Sequence, residues 1–141
     1  YLTDEGVPLC TMMKSPKDAV FDWYINRERS KGGRVYERSV GIKPAIKALR
    51  SGDSFFYLPD QDHGREASIF VPFFGHPKAT LPALPKLVKL TGARAVPILA
   101  CYDEDEECYR LEIEPPFDPY PTDDLTADVN AMNRMVEHHL S

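Results

Sequence analysis

A mixed α/β fold, a sheet flanked by helices, is what this sequence predicts. Short apolar runs of strand type alternate with helical stripes, in the order β-α-α-β-α-β-β-α. The 141 residues are one domain's worth and enough to enclose a core. With 43% apolar and 28% charged residues, the composition is that of a folded chain and not a disordered one. The longest apolar run, Ala95 to Tyr102, falls far short of the roughly 20 residues that span a bilayer. No charged, apolar and cleavage-site pattern of a secretion signal opens the sequence.

Each element has its own warrant. Gly6 to Met13 is a short apolar run after an acidic turn and reads as a strand. Asp18 to about Arg29 reads as a helix carrying Val20, Phe21, Tyr24 and Ile25 as its stripe, ended by Gly32 and Gly33. Ile42 to Arg50 is a second helix, with Ile42, Ile46 and Leu49 on one face, Pro44 in its first turn and Gly52 past its end. Ser54 to Leu58 is aromatic, short and stopped by Pro59, which suits a strand.

Thr80 to Leu90 reads as a helix with Leu84, Leu87 and Val88 inward, Pro82 and Pro85 near its start, and Gly92 closing it. The unbroken apolar run Ala95 to Tyr102 suits a strand buried on both faces, with Pro97 early or at an edge. After the acidic turn Asp103 to Glu107, Tyr109, Leu111 and Ile113 alternate with charged residues. That pattern predicts a half-exposed strand antiparallel to the one before. Following the proline-rich connector Pro115 to Pro121, Leu125, Val129, Met132, Val136 and Leu140 trace an amphipathic helix capped by Thr122 or Asp124.

Charge and chemistry narrow the function classes. Three cysteines, Cys10, Cys101 and Cys108, form no metal-type pair and no even disulfide framework, so reduced thiols are expected. Net charge is −5, but residues 14–50 hold ten basic and four acidic side chains, a balance of +6. Residues 103–128 hold eleven acidic side chains and one basic, a balance of −10. A basic half beside an acidic half implies either solvated helix surface or an anion-facing side. The run Arg27, Arg29, Lys31, Arg34, Arg38 offers guanidinium forks for phosphate. No nucleic-acid module accompanies it, so a nucleic acid is not the expected partner.

Directly after a predicted strand comes Asp60-Gln61-Asp62-His63-Gly64. Two carboxylates and an imidazole in four residues suit a hard cation, a hydroxyl and phosphate held by hydrogen bonds, or a plain turn. Phe70, Phe73 and Phe74 suit a greasy channel or ordinary core. His138 and His139 diverge by about 100° around a helix, so cations complementing its carboxyl end are expected there instead of a metal site.

Taken together, Val20-Phe21-Asp22-Trp23, Arg29, Arg38, Ile46-Lys47-Ala48-Leu49 with Gly52, Pro59-Asp60-Gln61-Asp62-His63-Gly64, Phe70-Val71-Pro72-Phe73-Phe74-Gly75, Ala79-Thr80, Gly92 to Pro97 and Met132-Asn133 resemble the late acyltransferases of lipid A biosynthesis. The resemblance implies a glycerolipid-acyltransferase-like fold, here incomplete, with residues 1–141 the carboxyl-terminal portion of a single acyltransferase domain. It implies transfer of a fatty acyl chain from acyl carrier protein to a hydroxyl of a Kdo-bearing lipid A precursor, at the cytoplasmic face of the bacterial inner membrane. No cofactor and no metal are implied. The wider fold uses a His and a carboxylate spaced H-x-x-x-x-D/E as base and orienting acid. Five residues after His63 stands Ser68 and five after His76 stands Leu81, so no catalytic residue is expected in this chain.

By the same resemblance, Arg29 and Arg38 grip phosphate or acidic sugar on the acceptor, and Lys14 is a weaker candidate. Asp60, Asp62 and His63 position a sugar hydroxyl or buttress the dyad. Membrane attachment is expected through segments outside these residues. Two other readings stand beside this one. The chain is a non-catalytic lipid- or partner-binding module, or Asp60-Gln61-Asp62 is the metal motif of a nucleotide-sugar glycosyltransferase.

Overall fold

The computed structural model describes residues 6–59 and 65–140. The chain divides into two compact units, Tyr1–Pro59 and Asp60–Ser141.

The first unit is a small parallel sheet with two crossover helices. Its elements are β1 (Leu9–Met13), α1 (Ala19–Lys31), β2 (Arg34–Glu37), a 3-10 turn (Arg38–Val40), α2 (Lys43–Arg50) and β3 (Ser54–Phe56). The strands lie in the order β2-β1-β3, all parallel. This order requires one crossover to each side of β1, and the right-handed rule for such crossovers sets α1 and α2 on opposite faces.

Local chemistry explains the boundaries of these elements. Asp18 caps α1, its carboxylate accepting the Phe21 N–H at 2.9 Å. Gly33 leads into β2 with φ +154, and a Cβ there would lie 2.4 Å from the Leu9 carbonyl oxygen, so only glycine fits beside β1. Ala45 and Ala48 are the buried residues of α2; their small side chains let the helix lie close to β1 and β3. Cys10 and Met13 of β1 complete this unit's core.

The second unit is built from two hairpins and two helices. After a 3-10 turn (Arg65–Ala67) come β4 (Ile69–Phe73), β5 (His76–Thr80), α3 (Ala83–Thr91), β6 (Ile98–Asp103), β7 (Cys108–Ile113) and α4 (Leu125–Leu140). β4 pairs with β5 and β6 with β7, each antiparallel. The core gathers Val71, Thr80, Pro85, Leu87, Val88, Val129, Met132 and Asn133.

The β4–β5 hairpin carries facing prolines, Pro72 opposite Pro77. The closing pair of a two-residue turn, Phe73 and His76, is a hydrogen-bonded pair, so the prolines fall on the next, non-hydrogen-bonded pair. Their missing N–H groups cost no ladder bond there. The Pro72 carbonyl instead accepts from Asn133 Nδ2 of α4 at 3.2 Å. The same amide reaches Thr80 Oγ1 at 3.3 Å. The Phe74 N–H in the turn donates to the Glu137 carboxylate. Thus α4 is fixed along the whole hairpin. At its start, Asp124 Oδ1 accepts the Thr126 and Ala127 N–H groups, as the sequence predicts of an Asp124 cap. Buried Asp128 is answered by the Thr122 N–H at 2.9 Å and the Thr122 hydroxyl at 2.8 Å.

Several expectations change. The mixed α/β class holds, but the described residues form one three-stranded parallel sheet and two separate hairpins instead of one mixed sheet. Among the described residues Ile98–Asp103 pairs with β7 alone, and none of it is buried, Ala100, Cys101 and Tyr102 being exposed, contrary to a strand buried on both faces. An apolar run alone does not say whether a second layer covers it. The helix expected from Thr80 begins at Ala83, with Thr80 ending β5. Pro82 stands just before it and Pro85 in its first turn, where N–H groups have no helical partner. In α1 the stripe Val20, Phe21 and Tyr24 faces outward, and no residue of that helix is buried.

Candidate functional site

Parallel α/β sheets place their ligands beyond the carboxyl ends of the strands. In the first unit that edge is formed by Lys14 and Ser15 after β1, Arg38 and Ser39 after β2, and Tyr57 to Pro59 after β3.

Glu37 organises the edge. Its carboxylate accepts the Ser39 N–H at 2.6 Å and the Ser39 hydroxyl, and it faces the Ser15 N–H at 3.5 Å. One half-buried acid therefore ties the turn after β1 to the turn carrying Arg38. The sequence does hold a trace of this, since Glu37-Arg38-Ser39 has a carboxylate two residues before a hydroxyl, the spacing of a side-chain-closed turn. It was not among the expected site residues.

Arg29 reaches the same edge by another route. It extends from α1 so that Nη1 lies 3.5 Å from the Met13 sulfur, at the last residue of β1. Met13 is the register partner of Glu37, and Arg38 is the next residue. Lys14 and Arg38 thus follow neighbouring strand ends, and the Arg29 side chain reaches the last residue of one of them.

The rest of the basic run does not join them. The Arg27 guanidinium lies 5.2 Å from the Trp23 ring centre. Lys31 pairs with Glu28 at 2.6 Å. Arg34 pairs with Asp53 at the amino end of the sheet. A run continuous in sequence is therefore split among three places, because a helix and a strand carry its members in different directions. Asp60, Asp62 and His63 lie outside the described residues.

Two further groups bear on chemistry. Burial pushes the Cys10 thiol up, with the Arg34 charge pulling weakly the other way, so this cysteine packs as a small apolar side chain. Among the described residues, Glu112, Glu114 and His139 bring ligand atoms within 4.8 Å of one another. His139 Nδ1 meets the Met135 carbonyl at 2.8 Å and Nε2 lies 3.3 Å from Glu114. The carbonyl bond first, then Glu114, raises the pKa of His139, which favours its cationic form at the carboxyl end of α4. That is the role the sequence suggests for the histidine pair.

The family profile described as bacterial lipid A biosynthesis acyltransferase matches residues 1–141. The chain belongs to that family. It is 39% identical over 137 residues to a lipid A biosynthesis myristoyltransferase of Escherichia coli, covering 96% of this chain and 42% of the relative. A lipid A biosynthesis acyltransferase of Haemophilus influenzae is 38% identical over 138 residues, with the same 96% and 42% coverage. A lipid A biosynthesis lauroyltransferase of Escherichia coli is 32% identical over 119 residues, covering 84% of this chain and 39% of the relative. The chain thus spans about two-fifths of the length of these curated relatives. Among its described residues no helix is long and apolar enough to cross a membrane.

Proposed function

We propose that this chain is the acceptor-holding portion of a lipid A acyltransferase, the carboxyl-terminal part of one acyltransferase domain. The reaction moves a fatty acyl chain from acyl carrier protein to a hydroxyl of a Kdo-bearing lipid A precursor, at the cytoplasmic face of the bacterial inner membrane. What supports this reading is the family match along all 141 residues, joined to a sheet edge whose strand ends carry Lys14 and Arg38, with Arg29 reaching Met13 there.

The chemistry divides accordingly. An anionic glycolipid needs fixed cations, and arginine forks bind phosphate with two parallel hydrogen bonds. Arg29 and Arg38 supply these, and Glu37 holds the Arg38 turn in place. Asp60, Asp62 and His63 position the sugar hydroxyl. The His and carboxylate that take the hydroxyl proton come from outside these residues, since no His here has an acid five positions on.

The experiment is acyl transfer by the protein expressed from its own gene, with acyl-loaded carrier protein and a Kdo-bearing lipid A precursor. An acylated glycolipid is the expected product. No transfer, together with heat of binding on titrating manganese and a nucleotide sugar, would replace this reading with the glycosyltransferase one.

A further inference from the structure

Helix α1 is built inside out. Asp22, Ile25, Asn26 and Arg29 fall at i, i+3, i+4 and i+7 on one face. The first three are half-buried and Arg29 reaches back to Met13 of the sheet. This inward face is mostly polar, with Asp22 accepting from Asn26 at 2.8 Å. Val20, Trp23, Tyr24, Arg27, Glu28 and Lys31 share the opposite face, with Lys31 paired to Glu28 at 2.6 Å and Phe21 at the margin. There the exposed fractions are 75% for Val20, 54% for Phe21, 59% for Trp23 and 55% for Tyr24. A water-facing helix ordinarily shows the reverse arrangement.

The composition of this outer face says what it fits. Trp and Tyr favour the headgroup level of a bilayer, where an apolar ring body meets a wet polar tip. Arg27 lies over the Trp23 ring and Lys31 follows one turn on, so cations flank the rings as on helices that lie in an anionic interface. The +6 balance of residues 14–50 complements a negative surface, while the chain as a whole, at −5, would be repelled by one.

We propose that the outer face of α1 lies in the interface of an anionic lipid bilayer, with Val20, Phe21, Trp23 and Tyr24 inserted and Arg27 and Lys31 at the phosphates. The proposal rests on this helix and the charge of the segment around it, not on the acyl-transfer reading. A protein that transfers acyl chains yet leaves α1 in water would refute it without touching that reading.

Trp23 is the chain's one tryptophan. Emission of the protein minus that of its Trp23→Phe variant therefore isolates this face, even if the expressed protein holds other tryptophans. With phosphatidylglycerol vesicles the difference spectrum should move to the blue and be quenched by brominated acyl chains. Phosphatidylcholine vesicles should give a much weaker response, and added salt should diminish the first. A Val20→Ser, Tyr24→Ser double variant with unchanged circular dichroism should lose the shift. The proposal is overturned if Trp23 is already blue-shifted and shielded from acrylamide without vesicles, which would mean that protein covers the face. It is equally overturned by no quenching, or by equal responses to both lipids.

Discussion

Asn133 holds the second unit together, and replacing it tests that directly. Its amide donates to the Pro72 carbonyl at 3.2 Å and to Thr80 Oγ1 at 3.3 Å, with Asn133 and Thr80 both buried. A neutral hydrogen bond contributes about 0.5–1.5 kcal/mol net, and a stranded buried partner costs about 1–3 kcal/mol. Thr80 keeps a weak bond to the Lys78 carbonyl at 3.4 Å, so it is only partly stranded. Asn133→Ala should therefore destabilise by about 2–3 kcal/mol. For a unit of about 80 residues, this lowers Tm by roughly 8–24 °C. Asn133→Asp should be worse at neutral pH, because a carboxylate would face the Pro72 carbonyl with no donor to offer. It should recover in acid, when a protonated carboxyl regains one O–H. Urea titrations followed by circular dichroism, read as midpoint shifts at constant slope, make the measurement. A loss under about 0.5 kcal/mol for the alanine variant, or an aspartate variant milder than alanine, would refute the reasoning.

Two further outcomes follow from the same unit. Phe74 sits in the hairpin turn at φ +48, a left-handed conformation that costs most L-residues about 1 kcal/mol or more and that Asn tolerates. Both Phe74→Asn and Phe74→Ala lose the ring contact with Phe73, so their difference isolates the backbone. The asparagine variant should be more stable than the alanine variant by about 0.5–1 kcal/mol in thermal melts, and equal stability would contradict this. His139 has a folded pKa above its ordinary 6.5, through the Met135 carbonyl and Glu114. Its stabilising contribution is complete below pH 6.5 and is lost as pH rises through the raised folded value. An NMR titration of its ring should show a midpoint above 6.5, and His139→Gln should flatten that part of the stability profile. A midpoint at or below 6.5 would remove the pair from the account.

Elements with strong local punctuation were legible in the sequence. The two central helices, the β7 strand and the Asp124 cap follow from period and capping chemistry, but Tyr109, Leu111 and Ile113 of β7 are exposed where the alternation predicts a covered face, since no second layer lies on them among the described residues. Three features were not legible. The four residues of β2 are too few to show a period. The β4–β5 hairpin hides behind Pro72 and Pro77, because a proline demotes a strand pattern unless it falls on a non-hydrogen-bonded pair, which register alone decides. The outward stripe of α1 is invisible to periodicity, which finds an apolar face but not what covers it. For the site, residue types pointed to Arg29 and Arg38, and the structure brings both to one sheet edge. Glu37 steadies that edge through a local turn with Ser39, which its spacing does hint at, and a tertiary contact with the Ser15 N–H, which no spacing encodes.

Steady-state acyl transfer by the expressed protein and its Arg38→Ala variant, with acceptor and donor varied separately, tests the central claim most directly. Loss of a charge-assisted phosphate contact of about 1.5–3 kcal/mol should lower kcat/KM for the phosphorylated acceptor roughly 10- to 150-fold and leave KM for acyl carrier protein unchanged. Unaltered acceptor kinetics, or an effect confined to the donor, would contradict it.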